Sequence, residues 1–253
     1  MPWDPEQYHR FQAERFAPFE DLVRLVAVRP GLRAVDLGCG TGELTRRLAD
    51  ALPESEVIGI DTSPEMLARA QSQARPGLRF EPGDLAALEG EWDLIFSHAA
   101  IQWADDHEAL VPRLFGHLRP GGQLVIQLPN NHTHPAHRLI LEVAAEEPFH
   151  RALGGYARPW PQLPVQRYAE LLYAAGGREL TVFEKVYPHV LPDSDAVVEW
   201  TRGTALLPYL ERLPEDLRGP FLDRYRARLR ELMPQAPVFY GFRRILFAAA
   251  RPV

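Results

Sequence analysis

Cysteine is nearly absent: Cys39 is the single one in 253 residues. No internal disulfide and no thiolate metal cluster can form, which fits a reducing compartment. Long apolar runs are missing too, none approaching the ~18 residues that a membrane span needs. The opening MPWDPEQY has neither the basic region nor the apolar stretch of a signal peptide. These absences lead us to expect a soluble, cytoplasmic protein with no membrane partner. An excess of basic charge is also lacking, since 28 basic against 34 acidic residues give a net charge of −6. A grip on phosphate backbones has no electrostatic source, so nucleic acid is not expected as a partner. Repeats and low-complexity tracts are not found, and the 24 prolines fall mainly between candidate elements. With 46% hydrophobic residues the chain can bury one large core, with or without a cap, and two equal domains are not expected. A monomer is favoured.

What is present is concentrated in VDLGCGTG, Val35 to Gly42. An apolar run (Leu32, Ala34, Val35, Leu37) carries one carboxylate, Asp36, and breaks into Gly38, Gly40 and Gly42. It resumes as Glu43, Leu44 and Leu48 at helical spacing. The pattern predicts a strand, a tight turn and a helix. Glycine permits positive φ and lets a ligand approach the main chain, and the helix start offers unpaired N–H groups. A dinucleotide fingerprint would need its third glycine at position 43, which is Glu43. The spacing with an acid just ahead suits a ligand presenting an ammonium and a carboxylate together, as S-adenosyl-L-methionine does from its amino-acid end.

Strand and helix signals then alternate. A helix ends near Leu52, and Val57 to Ile60 is a short strand terminating at Asp61. Ser63 and Pro64 start a second helix, with Met66, Leu67 and Ala70 on one face. Strands follow at Leu78 to Glu81, Trp92 to Ser97 and Gln123 to Leu128, with a helix from about Asp106 to Leu118. This alternation predicts a parallel sheet with helices on both faces, its ligand at the carboxyl ends of the strands. Asp36, Asp61, Asp84 and Ser97 fall at or near that edge. Asp61, with Thr62 beside it, is placed to take two ribose hydroxyls. Asp84 can accept from an adenine amino group, the Leu85 amide can serve the ring, and Met66 and Leu85 supply apolar faces. Gly38 and Gly40 complete the cofactor set. Late runs at Leu180 to Val190 and Phe242 to Ala250 predict two more strands.

VDLGCGTG, the acid closing IGID, FEPGD, WDLIFS and LRPGGQLVI occur in an order and spacing that resembles the class I S-adenosyl-L-methionine-dependent methyltransferases. WDPEQYHRFQAER, HAAIQWADDH, LPNNHTHPAH and EWTRGTALLPYL are similar to the trans-aconitate methyltransferase family and extend the likeness over nearly the whole chain. The resemblance implies an α/β, Rossmann-like class I methyltransferase fold. A seven-stranded, mostly parallel sheet would carry helices on both faces and an α-helical cap, its last strand antiparallel. The organisation expected is an N-terminal helical lid over residues 1–30, a cofactor-binding core over 31–131, and cap segments plus the last two strands over 132–253.

The resemblance also implies an enzyme that forms a methyl ester on one carboxylate of a small polycarboxylic acid, with trans-aconitate as the leading acceptor. Another small-molecule or acyl-carrier-bound acceptor stays open as the alternative. A carboxylate acceptor, with a reference pKa near ~4, is already ionised at neutral pH and needs no general base. His98 is the one candidate if an acceptor required a base. The remaining carboxylates need cations and donors, and the candidates are Tyr8, Arg15, His98, Trp103, His132, Tyr156, Trp200 and Arg244. Tyr8, Phe11 and Arg15 occur at helical spacing, which predicts one face of a short N-terminal helix. Arg243 and Arg244 point to opposite faces of a strand, and the family's closing strand favours Arg244. The cluster from His132 to His137 contains a proline and no nearby carboxylate, so no metal is expected.

Overall fold

The computed structural model describes residues 12–253, with side chains from Phe16 onward. Seven strands form one sheet in the order β3-β2-β1-β4-β5-β7-β6. They are β1 Arg33–Leu37, β2 Glu56–Asp61, β3 Leu78–Pro82, β4 Trp92–His98, β5 Leu118–Pro129, β6 Arg178–Leu191 and β7 Val238–Ala250. β1 pairs in parallel with β2 and β4, β2 with β3, and β4 with β5. β7 runs antiparallel to β5. Strand order reverses between β1 and β4, the position where sheets of this kind bind ligands beyond their carboxyl ends.

Two compact units are built from interleaved segments. The sheet unit comprises residues 16–129, 161–185 and 244–253. Ala34, Val35 and Leu37 are all fully buried because β1 is covered on both sides. On one face Val35, Leu37 and Ile95 pack with helix α4 (His107–Gly116) and helix α7 (Val165–Ala174). On the other, Ala34, Leu94 and Phe96 pack with α1 (Gln12–Val23), α2 (Glu43–Ala51) and α3 (Pro64–Ala70). From Phe16 on, the N-terminal segment belongs to this core through Phe19, Leu22 and Val26. Tyr8 and Phe11 lie outside the described residues, as does the side chain of Arg15.

Local signals explain the helix starts. The Ser63 hydroxyl accepts from the Met66 amide at 3.3 Å, with Pro64 in the first turn. The Asp106 carboxylate accepts from the Ala109 amide at 3.1 Å. Helix α7 lies in the sheet unit. Its Tyr168 hydroxyl meets His107 Nδ1 at 2.6 Å and its ring stacks on Phe247. β7 begins at Val238, four residues ahead of the apolar run that predicts it. Val238, Tyr240 and Phe242 alternate inward across Gly241, which hides the period in the sequence.

The second unit holds residues 130–160 and 186–243 among those described. Its helices are α5 (Pro135–Ala144), α6 (Phe149–Ala152), α8 (Ser194–Arg202), α9 (Leu207–Arg212) and α10 (Glu215–Leu232). They enclose a core of their own, rich in tyrosine. Each buried hydroxyl finds a partner, as such groups must. Tyr225 donates to Ala136 O at 3.2 Å, Tyr209 accepts from the Arg158 amide at 2.9 Å, and Tyr240 meets His137 Nε2 at 3.0 Å. No helix among the described residues is long and apolar enough to cross a membrane.

Candidate active site

The carboxyl edge of the sheet collects most of the expected cofactor residues. Gly38, Gly40 and Gly42 have φ of 76°, 55° and 77°. The Gly38 and Cys39 amides donate to Ile60 O at 2.8 and 2.9 Å, closing the turn onto the end of β2. The Asp61 carboxylate accepts from the Gly40 amide through Oδ2 and the Ser63 amide through Oδ1, both at 2.9 Å. These bonds hold the carboxylate rigidly while each oxygen keeps a second lone pair. Two of the glycines answer to packing: a Cβ on Gly38 would lie 2.2 Å from Ala100 Cβ, and one on Gly42 2.7 Å from the Phe80 ring. Gly42 caps α2 in a left-handed conformation, with no side-chain hydrogen bond at the cap.

Asp36 is the electrostatic centre of this edge. Thr45 Oγ1 donates to its Oδ2 at 2.6 Å, whereas Oδ1 is buried with no hydrogen-bond partner among the described residues. Burial pushes its carboxyl up to about 7, against the pull of the Thr45 bond and with a further push from the Asp61 charge. An orphaned buried carboxylate oxygen is costly unless a cation meets it. The α-ammonium of S-adenosyl-L-methionine fits that requirement.

The other cofactor candidates take varied places. Asp84 Oδ1 accepts from the Ala86 amide at 2.8 Å, capping a single turn at Leu85–Ala87, and its other oxygen is uncommitted to that cap. Leu85 packs partly into the core, Met66 is buried, and Thr62 is exposed after β2. Ser97 is fully buried and donates to Leu37 O at 2.9 Å, tying β4 to β1.

A polar row continues across the same face of the sheet. Paired residues share a face, and the register joins Asp36 to Phe96, His98 to Gln127, Gln127 to Leu246 and Pro129 to Arg244. Alternation along β4 and β7 therefore puts Asp36, His98, Gln127 and Arg244 on one side. Gln127 is fully buried, and neither its amide oxygen nor its nitrogen has a hydrogen-bond partner among the described residues. Neither Gln127 nor Thr45 is among the residues expected from sequence. The available signal was a lone amide inside the apolar strand QLVIQLP, and a threonine nine residues after the acid. Ala99, directly after His98, has φ 55°, a left-handed conformation rare for alanine. Trp103 is 45% exposed in the turn Ile101–Trp103.

His132 and Trp200 lie in the second unit, joined by a chain of rings. His132 meets Trp160 at 6.0 Å, Trp160 meets His137 at 5.9 Å, and Trp200 meets Tyr240 at 6.0 Å. Burial, then the neighbouring His134, Arg158, His132 and Arg243, pushes His137 down to about 3. No carboxylate is among these neighbours in the described residues. Tyr156 packs on Tyr209 and beneath Arg212, and adjoins Arg158 of the same set. No group of three His, Cys, Asp or Glu among the described residues is arranged to hold a metal.

An acid-tipped parallel sheet with a glycine turn and an orphaned carboxylate at its switch point defines a class I S-adenosyl-L-methionine-dependent methyltransferase. A family model described as a methyltransferase domain matches residues 34–122. The trans-aconitate 2-methyltransferase of Deinococcus radiodurans is 48% identical over 258 residues, covering 100% of this chain and 99% of that protein. That of Variovorax paradoxus is 42% identical, covering 92% and 91%. Among solved structures, the YcgJ protein of Bacillus subtilis shares the fold with a TM-score of 0.63 at 16% identity, over 94% of this chain and 99% of that one. The chain belongs to the trans-aconitate 2-methyltransferase family.

Proposed function

We propose that this chain esterifies one carboxylate of trans-aconitate, with Asp36, Gly38, Gly40, Asp61, Thr62, Met66, Asp84 and Leu85 holding the methyl donor. When bound, S-adenosyl-L-methionine supplies an electrophilic methyl group on a sulfonium. The acceptor carboxylate is ionised at neutral pH and attacks without a base, so the protein's task is orientation and exclusion of water. One observation carries the acceptor assignment: the donor-bearing row His98, Gln127 and Arg244 shares a sheet face with Asp36. A guanidinium and an orphaned amide are what a polycarboxylate needs for the groups that do not react. Ser97, already bonded to Leu37 O, is left to structure.

Incubation with S-adenosyl-L-methionine and trans-aconitate should give a monomethyl ester detectable by mass spectrometry. Absence of product at millimolar acceptor would remove this substrate. Gln127→Leu should raise the acceptor KM by about ten-fold, the value of one hydrogen bond to a charged group, and leave S-adenosylhomocysteine affinity intact. An equal loss of both would place the amide elsewhere. Asp61→Ala should weaken S-adenosylhomocysteine binding by ~30-fold, roughly 2 kcal/mol, because two charge-assisted bonds to the ribose are lost. Calorimetric titration reads this directly, and an unchanged affinity would refute the ribose assignment.

A further inference from the structure

At the opposite end of the sheet, where β1, β4 and β5 begin and β7 ends, lies a cavity of about 430 Å³. That volume is within the range of small-molecule sites. Its lining includes Leu32, Leu94 and Ala250 on the apolar side and Arg29, Arg178 and Arg251 on the polar side. All belong to the sheet unit. Each guanidinium is pinned by backbone carbonyls. Arg29 Nη2 donates to Gly121 O at 2.9 Å, Arg178 Nη1 to Gly177 O at 2.9 Å, and Arg251 Nη1 to Gly116 O at 3.2 Å and to Leu118 O. Carbonyls fix the position of a guanidinium without cancelling its charge. None of the three makes an ion pair among the described residues.

Of the side-chain acids in the lining, Asp93 is already occupied, accepting from Arg119 at 3.1 Å and from the Arg33 amide at 2.9 Å. Glu179 is the other, against three arginines. The walls are cross-linked besides. Gln123 accepts from the Ala27 amide at 2.9 Å and donates to Leu25 O at 2.8 Å, and the Gly121 amide donates to Arg251 O at 2.9 Å.

We propose that this cavity is a second binding site, remote from the methyl-transfer edge, for a small organic anion with carboxylate or phosphate groups and an apolar body. Three forked donors with their charge left over recognise such oxygens bidentately, and Leu32, Leu94 and Ala250 cover the remainder of the ligand. The site stands independently of the acceptor assignment, because none of its residues takes part in that reading.

The test is an NMR titration of the isotope-labelled chain with citrate and, separately, inorganic phosphate. Ionic strength is held constant and S-adenosylhomocysteine is saturating. Saturable shifts at the amides of Ala27, Gly121 and Glu179 are expected, and the tighter of the two anions identifies the oxygen chemistry. Arg29→Gln and Arg178→Gln should each weaken this binding by at least about five-fold, the loss of one charge-assisted contact, with S-adenosylhomocysteine affinity unchanged. Either variant suffices if the other fails to fold. The proposal falls if neither anion gives saturable shifts at those amides up to ~20 mM, if sodium chloride reproduces them, or if the folded variants bind as tightly as the parent.

Discussion

Gly38→Ala should cost the protein about 2–5 kcal/mol and lower its melting temperature by roughly 5–15 °C. Two separate penalties combine. At φ 76° an alanine is strained by ~1–2 kcal/mol where glycine is not. Its Cβ would also stand 2.2 Å from Ala100 Cβ, a contact that no rotamer change can relieve because neither methyl can turn away. The backbone after β1 or after β4 must move, at an overpacking cost of ~1–3 kcal/mol. The Gly38 amide donates to Ile60 O and the Gly40 amide to Asp61, so the movement should also weaken S-adenosylhomocysteine binding. Ala100→Gly added to Gly38→Ala should restore the packing part and leave the dihedral part, a partial rescue readable in a double-mutant cycle. A Gly38→Ala variant melting within ~1 °C of the parent would show that the two loops do not approach so closely.

That approach marks the boundary of what sequence reading reached. The glycine turn, the acids at 36, 61 and 84, and the five parallel strands were legible because each depends on neighbours in the chain. Apolar period, turn residues and caps such as Ser63 and Asp106 are local devices. The reason for Gly38 is Ala100, 62 residues away, and no local pattern contains it. Gln127 reads in sequence as an ordinary strand residue, and acquires meaning once register places it beside His98 on the face of Asp36. Ser97 shows the reverse, since it stands at the expected edge while its hydroxyl bonds Leu37 O. Residues 161–185 return to the sheet unit through Tyr168, whose partner His107 is 61 residues away in the chain. What escapes sequence is therefore side-chain partnership across the sheet.

The acid ahead of the glycine turn should make both stability and cofactor affinity depend on pH, in opposite directions. Burial holds the Asp36 carboxyl at about 7 in the folded protein, against ~3.9 for an unfolded chain. Between those values the folded state keeps a proton that the unfolded state releases, so the stability of the cofactor-free protein falls as pH rises from ~4 to ~7. At 1.36 kcal/mol per unit the full contribution is about 4 kcal/mol. A bound ammonium favours the ionised carboxylate, so S-adenosylhomocysteine affinity should instead climb with pH and level off above ~7. Each unit well below that point weakens binding about ten-fold, which makes it ~50-fold poorer at pH 5 than at pH 7. The ligand's own ammonium, with an ordinary α-amino pKa of about 8, stays mostly protonated up to pH 7, so the rise between pH 5 and pH 7 reports the carboxyl. Asp36→Asn removes this titrating carboxyl: it should flatten the affinity profile and abolish the extra stability of the unliganded protein near pH 5. Were the variant to keep the parent's pH profile, the buried oxygen would not be the group that receives the ammonium.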